Sequence, residues 1–260
     1  MDDRKIWREP IFWVLAVIAF LFISAAYAGE VDLVKLQKQV LANTVQLDES
    51  CSGTVISSVR DKVAPGQVQT VQTLVLTAKH CTDERKAGEH FIDFPVYQNG
   101  RMVKKERYIA TLKGTFFGAD LGLYVLKDNL THFANVAKIA PEKTLPQMGE
   151  AVWTAGYPLA KSLTITAGNF GSFETIDFPK DGTEYFRATP NFTFGNSGGA
   201  LYRMTAGGDF ELIGVTSAKS GDNEFMGLFV PIDMIHKYLK SAAPHVVGVS
   251  PTPPAKAFGN

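Results

Sequence analysis

Short runs rich in β-branched and aromatic residues recur along most of this sequence, and they constrain its fold more than any other feature. Gly, Pro, Asn and Asp interrupt them at short intervals. The clearest runs are Thr44–Leu47, Gly53–Ser57, Thr73–Thr77, Gly122–Leu126, Ala151–Ala155, Leu163–Ala167, Tyr185–Ala188, Glu211–Ser217 and Gly227–Val230. Many short strands separated by turn residues are typical of antiparallel barrels and sandwiches. The pattern therefore predicts an all-β fold.

Two segments have helical rather than strand spacing. Asp32–Leu41 places Leu33, Leu36 and Val40 on one face, and Asp233–Ser241 has apolar residues spaced for one face near the end of the chain. We expect a helical segment over 29–42 and a C-terminal α-helix. Residues 244–260 contain four prolines among small residues and are expected to form a disordered tail.

The first 28 residues have the composition of an export segment. Every residue from Ile11 to Ile23 is apolar, and Ala26-Tyr27-Ala28 places small residues where a signal peptidase cleaves. Because the strongly apolar run is short, a cleaved signal is favoured over a membrane anchor. The charges before the run are balanced, so the anchor and a resulting membrane tether stay open. Either reading predicts an exported domain, periplasmic or secreted.

The overall charge excludes one large class of partner. Lys and Arg together number 26, as do Asp and Glu, so the formal net charge is zero. A nucleic-acid-binding domain normally carries a basic excess, and we therefore expect no nucleic-acid partner. The sequence contains no His-Glu-x-x-His motif, no close cysteine pair and no Walker loop, so we expect neither a metal nor a cofactor.

The stretch FGNSGGAL, Phe194–Leu201, poses the functional question, because its serine is either part of a turn or a nucleophile. A serine hydroxyl needs a general base, usually histidine, and that base needs an orienting acceptor. Five histidines are available, and four of them lie in polar, surface-like or tail contexts: His90, His132, His236 and His245. His80 differs because it directly follows the predicted strand TLVLTA and precedes a cysteine. It is the best candidate base.

Asp120 is the best candidate for the orienting acid. It opens the alternating run DLGLYVLK after a turn that contains glycine. A carboxylate at the mouth of a strand is held rigidly because the residues that follow it are anchored in the core. Asp83, Asp93 and Asp128 lie in loops or near strand ends with more charge around them.

The segments LTAKHC, ADLGLYVLK and GNSGGAL resemble trypsin-like serine proteases, in the same order His, Asp, Ser. The bacterial HtrA-like peptidases are the most similar members, and IGVTSA and MGLFVPIDMIHKYL resemble their last strands and helix. The resemblance covers 43–243 and implies two six-stranded antiparallel β-barrels followed by a C-terminal helix. It implies a serine endopeptidase acting on proteins or peptides. We see no second domain and expect no PDZ-like module.

The resemblance also assigns roles to individual residues. It implies that His80, Asp120 and Ser197 are catalytic and that the backbone amides of Gly195 and Ser197 form an oxyanion hole. It implies a disulfide between Cys51 and Cys81. Ser217 matches the serine that holds the catalytic acid and, with Asn191, Lys219 and Gly227, is expected to line the substrate-binding pocket. Since no aspartate stands at the base of that pocket, we expect a small or medium neutral side chain at the cleaved bond.

Asn196 departs from the family members that are activated by proteolysis. Those proteins carry aspartate there, which pairs with a new N-terminus, whereas asparagine is neutral. We therefore expect no activating cleavage, with Asn196 holding the loop through amide hydrogen bonds. A catalytically silent binding module with the protease fold is the alternative, but every residue of the expected triad is present.

Overall fold

Twelve antiparallel strands in the described part of the chain close into two six-stranded barrels. The computed structural model describes residues 32–60, 70–82, 89–98, 101–127, 131–175, 183–191, 193–220 and 223–248. The first barrel consists of β1 Thr44–Leu47, β2 Cys51–Arg60, β3 Val71–Thr77, β4 His90–Gln98, β5 Arg101–Phe116 and β6 Leu121–Leu126. The second consists of β7 Ala151–Gly156, β8 Thr164–Thr175, β9 Glu184–Ala188, β10 Ala200–Met204, β11 Phe210–Ser220 and β12 Asn223–Pro231.

The two barrels have the same strand order. The first runs β1-β2-β3-β6-β5-β4 and closes by pairing β1 with β4, while the second runs β7-β8-β9-β12-β11-β10 and closes by pairing β7 with β10. Closure removes the exposed sheet edges that would otherwise template aggregation. The all-β fold with two six-stranded antiparallel barrels is therefore confirmed.

Large apolar side chains fill each barrel. Val45, Val55, Val75 and Ile92 pack around Tyr124 in the first, and all are almost fully buried. In the second, the largest fully buried side chains are Tyr185, Phe186, Tyr202, Phe210 and Phe229. Each such side chain contributes about 1.5–3 kcal/mol by leaving water. Strand β2 is buried along Cys51–Ser58, on both of its faces.

Among the described residues two α-helices flank the barrels, α1 at Leu33–Gln39 and α2 at Ile232–Ala242, both close to their predicted bounds. Helix α2 buries Ile232, Ile235, Tyr238 and Leu239. The Tyr238 hydroxyl donates to the carbonyl of Gly114 on β5 at 2.6 Å, which links the helix to the first barrel. Pro244–Val247, assigned from sequence to the disordered tail, instead forms a short 3₁₀ helix.

Strands β4 and β5 were not predicted from the sequence. Strand β5 is 16 residues long and begins with the charged, mostly exposed stretch RMVKKER, which does not alternate. Pairing with β4 and β6 determines its conformation. His90, expected in a surface loop, is buried at the start of β4, where its Nδ1 lies 2.6 Å from an Asp48 carboxylate oxygen.

The expected signal or anchor at 1–28 lies outside the described residues, as do 249–260. Within the part that is described, no helix has the length and apolar character required to cross a membrane.

Candidate active site

His80 and Asp120 are brought together by two paired strands. His80 lies in a single 3₁₀ turn, Lys79–Cys81, just after β3, and Asp120 lies just before β6. Since Thr77 on β3 pairs with Gly122 on β6, the two strand ends are adjacent. The His80 ring Nδ1 lies 2.7 Å from Asp120 Oδ2, and the His80 backbone N–H donates to Oδ1 at 2.9 Å.

The hydrogen bond between these side chains determines the histidine tautomer. An ionised carboxylate can only accept, so Nδ1 carries the proton and donates to Asp120. The neutral ring then has its free lone pair on Nε2. The His80 side chain is 49% exposed, so this nitrogen belongs to a ring that solvent and substrate can reach. The geometry leaves Nε2 available as a base.

Asp120 is held by both barrels. Ser217 on β11 donates its hydroxyl proton to Asp120 Oδ2 at 2.6 Å. Burial works against the carboxylate charge, but the hydrogen bonds from His80 and Ser217 and the interaction with the His80 charge outweigh it and lower the pKa of Asp120. The same hydrogen bond, which His80 donates to Asp120, raises the pKa of His80, although burial opposes the shift.

Ser197 lies in the loop between β9 and β10. It contacts Cys81, the residue that follows His80. Its carbonyl oxygen accepts the N–H of Ser52 on β2 at 2.8 Å. The Cys81 sulfur is 3.6 Å from the same oxygen, a contact rather than a hydrogen bond because a disulfide sulfur has no proton. The Ser197 loop of the second barrel therefore lies against β2 and against the turn that carries His80.

The glycines around Ser197 are required by the backbone. Gly195 and Gly198 have positive φ angles of 97° and 83°, a region that other residues rarely adopt. A methyl group on Gly198 would lie 2.1 Å from the Thr77 hydroxyl oxygen and 2.2 Å from the Ser52 carbonyl oxygen. Only a residue without a side chain allows the loop to approach β2 and β3 so closely.

Two hydrogen bonds fix the direction of the amides expected to form the oxyanion hole. The carbonyl of Phe194 accepts from Leu159 N–H at 2.6 Å, and that of Asn196 accepts from Gly199 N–H at 2.9 Å. A trans peptide directs its N–H opposite to its C=O, so these bonds also aim the amides of Gly195 and Ser197. Neither amide donates a backbone hydrogen bond to another residue of the described ranges.

The predicted disulfide is confirmed, since Cys51 and Cys81 are bonded with their Cα atoms 6.1 Å apart. It joins the start of β2 to the turn that carries His80. The side-chain donor atoms of His80 and the two cysteines lie within 4.8 Å of one another, the spacing of a metal site. Both sulfurs are consumed by the disulfide, so these residues do not supply the thiolates a metal would need.

The residues expected to bind substrate lie on neighbouring segments. Lys219 on β11 is the cross-strand partner of Gly227 on β12, and Gly227 also pairs with Ala188 on β9. Asn191 is exposed, and its carbonyl accepts the Thr166 hydroxyl proton at 2.6 Å. Ser217, in contrast, is buried and uses its hydroxyl on Asp120. Its contact therefore matches the acid-holding role rather than direct substrate binding.

Sequence reasoning missed Ser52. Its hydroxyl donates to the Gly195 carbonyl at 2.7 Å and accepts the Tyr157 N–H at 2.8 Å, so this first-barrel side chain binds two loops of the second barrel. The only available signal was its place beside Cys51. The expected amide hydrogen bonds of Asn196 are also not all present, because its buried Oδ1 has no partner among the described residues.

Comparisons with known proteins agree with this architecture. The chain matches the trypsin family model over residues 45–239. It is 25% identical to the mitochondrial serine protease HTRA2 of Drosophila grimshawi over 263 residues, spanning 92% of this chain and 58% of that protein. It is 32% identical to HTRA2 of Drosophila virilis over 148 residues, 55% of this chain and 32% of that protein.

A solved structure shares the fold. An HtrA-type protease with a tripeptide superposes with a TM-score of 0.59 and 18% sequence identity, covering 82% of this chain and 64% of the other. The chain thus spans less than two thirds of the length of these relatives. The family model matches most of the chain, and the two barrels agree with it. This chain belongs to the trypsin family.

Proposed function

We propose that this protein is a serine endopeptidase that hydrolyses peptide bonds in proteins or peptides. Ser197 acts as nucleophile, His80 as general base and Asp120 as the acid that orients the base. The observation that carries the proposal is the double hydrogen bond between His80 and Asp120, which presents Nε2 as a base near the Ser197 loop. Membership of the trypsin family supports the same roles.

The chemistry follows from these positions. As the Ser197 hydroxyl attacks the scissile carbonyl, its proton passes to His80 Nε2 and the carbonyl oxygen becomes an anion. The amides of Gly195 and Ser197 are the donors for that anion, and one such donor is typically worth about 2.7–4 kcal/mol. His80 then gives its proton to the leaving amine, and water hydrolyses the acyl-enzyme by the same steps in reverse.

Asp120 stabilises the step at which charge develops on His80. The imidazolium formed after proton transfer faces a carboxylate that stays ionised because its pKa is lowered. The raised pKa of His80 expresses the same interaction and makes the ring a stronger base. Ser217 holds the carboxylate in place from the second barrel.

The preference for the substrate side chain at the cleaved bond follows from the residues near Lys219 and Gly227. No aspartate occupies the expected pocket base at Asn191. Phe194 is 81% exposed, and the Lys219 ammonium lies 6.0 Å from its ring centroid. The positive charge of Lys219 repels Arg or Lys in the substrate, and no aspartate is present to offset it. We therefore propose a small or medium neutral residue.

Turnover of a peptide library by the purified protein tests this proposal. Cleavage by the wild type should be abolished in Ser197→Ala and in His80→Ala. His245→Ala is the matched control, because His245 is exposed in the C-terminal 3₁₀ helix. Wild-type protein that cleaves nothing, or Ser197→Ala protein that cleaves normally, would refute the assignment.

We also propose that the protein is exported, to the periplasm or outside the cell. The apolar run Ile11–Ile23 and the Ala26-Tyr27-Ala28 motif support export, and the Cys51–Cys81 disulfide suits an oxidising compartment. The intact mass and N-terminal sequence of the cellular protein test this. A start near Gly29 supports a cleaved signal, an uncut membrane-bound chain supports the anchor, and an uncut soluble chain in the cytoplasm contradicts export.

A further inference from the structure

The β7–β8 turn, Pro158–Ala160, controls the direction of one expected oxyanion donor. Its Leu159 N–H binds the carbonyl of Phe194, and the peptide that carries this carbonyl also carries the Gly195 N–H. If the turn shifted, the Phe194–Gly195 peptide could rotate and turn the donor away. The position of the turn is therefore coupled to the proposed catalytic step.

This turn has an unfavourable backbone conformation. Leu159 and Ala160 have positive φ angles of 54° and 57°. Such a conformation typically costs 1–3 kcal/mol for a residue other than glycine, and it persists only where the surroundings hold it. Within the described residues, two side chains hydrogen-bond to the backbone of Tyr157–Ala160, and both come from the first barrel: Ser52, and Gln46 on β1.

Gln46 is bound at both ends of its amide. The residue is 2% exposed, and its side-chain Nε2 donates to the Ala160 carbonyl at 3.0 Å. Its Oε1 accepts a hydrogen bond from the Lys105 ammonium on β5. Because an ammonium can only donate, Lys105 fixes which end of the amide faces Ala160. The same ammonium lies 4.8 Å from the ring centroid of Tyr157, the residue before the turn.

We propose that Gln46 is a positioning residue for the oxyanion hole, oriented by Lys105. Gln46 holds the Ala160 carbonyl, Leu159 N–H then holds the Phe194 carbonyl, and the Gly195 N–H is directed towards the substrate. Neither side chain touches the substrate. This inference rests on the proposed endopeptidase function. It adds that a side chain of the first barrel positions the donor that stabilises the transition state.

The test is a kinetic comparison of near-isosteric variants. Gln46→Glu keeps an acceptor for Lys105 but places a carboxylate oxygen against the Ala160 carbonyl in place of the donor. Removing one oxyanion donor outright costs about 10²–10³ in kcat, so a misdirected donor should lower kcat by roughly 10- to 100-fold. KM should change less than about threefold, since the interaction operates in the transition state. Affinity for a peptide boronate, which forms a tetrahedral adduct, should fall in parallel with kcat/KM.

Lys105→Met provides a second variant at a half-buried position in case the first fails to fold. It removes the cation that orients the amide, and we expect a smaller loss of kcat in the same direction. The double variant should lose less than the product of the single losses, because both changes act on one interaction. The controls are Lys104→Met, next along β5 and paired with Glu106, and Gln98→Glu, an exposed glutamine at the end of β4.

The outcomes separate two failures. Wild-type kcat in folded Gln46→Glu and Lys105→Met, or a raised KM with unchanged kcat, would overturn the positioning role while leaving the proposed function intact. Wild-type protein that neither turns over peptides nor reacts with a fluorophosphonate at Ser197 would overturn the proposed function, and this inference with it. A loss of kcat in both variants but in neither control supports the proposal.

Discussion

His80 and Asp120 are joined by two hydrogen bonds, one from the imidazole Nδ1 to Oδ2 and one from the His80 backbone N–H to Oδ1. One hydrogen bond holds the imidazole ring and the other holds the backbone of the same residue, so rotation of the His80 side chain breaks the bond from Nδ1. The imidazole of the proposed base is thereby held in one orientation. Preorganisation of this kind reduces the entropy cost of reaching the transition state.

Asp120→Asn should lower kcat by about 10⁴-fold with little effect on the fold. An amide can donate to Nδ1 and thereby favour the tautomer whose Nε2 carries the proton and cannot act as base. Steady-state kinetics and thermal unfolding measure the two effects. Asp209→Asn, at an exposed ion pair with Lys35, is the control and should keep full activity. Comparable losses in both variants would argue against a specific role for Asp120.

The rate should fall on acidification through a single protonation at His80. Because the hydrogen bond that His80 donates to Asp120 raises the pKa of His80, the imidazolium keeps its second proton up to a higher pH than an ordinary histidine does. The midpoint of the acidic limb of kcat/KM should therefore lie above the reference value of 6.5. A profile that stays flat well below that pH, or a midpoint below it, would contradict a histidine base paired with Asp120.

Gly198→Ala should damage both stability and activity. Its methyl group would meet Thr77 and Ser52 at just over 2 Å, so the Ser197 loop must move. We expect a loss of about 3 kcal/mol or more, which combines overpacking with the cost of a positive φ. Gly149→Ala is a matched control, since Gly149 has the same φ of 83° but nothing within 4 Å of the added methyl.

Urea unfolding and kcat/KM separate the two contributions. Gly149→Ala should lose only the backbone term, about 1 kcal/mol, and keep wild-type turnover. If both variants were equally stable and equally active, the close approach at Gly198 would have no consequence, which would contradict the steric argument.

Removal of the disulfide should destabilise the first barrel. Cys51 and Cys81 are separated by 30 residues, and by chain entropy the double variant Cys51→Ala/Cys81→Ala should lose about 3–4 kcal/mol of unfolding free energy. The His80 turn would also lose its covalent link to β2, so kcat should fall. Equilibrium unfolding in urea measures the first effect, and an unchanged midpoint would show that the bond contributes nothing to stability.

The family resemblance carried by the ordered motifs was enough to predict the two barrels and the Cys51–Cys81 disulfide, and the roles of His80, Asp120 and Ser197 stay predictions. Strand β5 was not predictable, because its Arg101–Arg107 stretch is polar and owes its conformation to strand pairing. Gln46 appeared only as one polar residue in a short run, and its bond to Ala160 joins positions 114 residues apart. Contacts between loops and strands of different barrels leave no local pattern in the sequence, so they could not be predicted from it.

Labelling of Ser197 tests the central claim most directly. The folded protein is treated with a fluorophosphonate, digested, and the modified residue located by mass spectrometry. We predict a single adduct at Ser197 that requires His80, so that His80→Ala protein reacts far more slowly and Ser197→Ala protein not at all. An unmodified protein, or an adduct at another serine that persists in Ser197→Ala, would contradict the account.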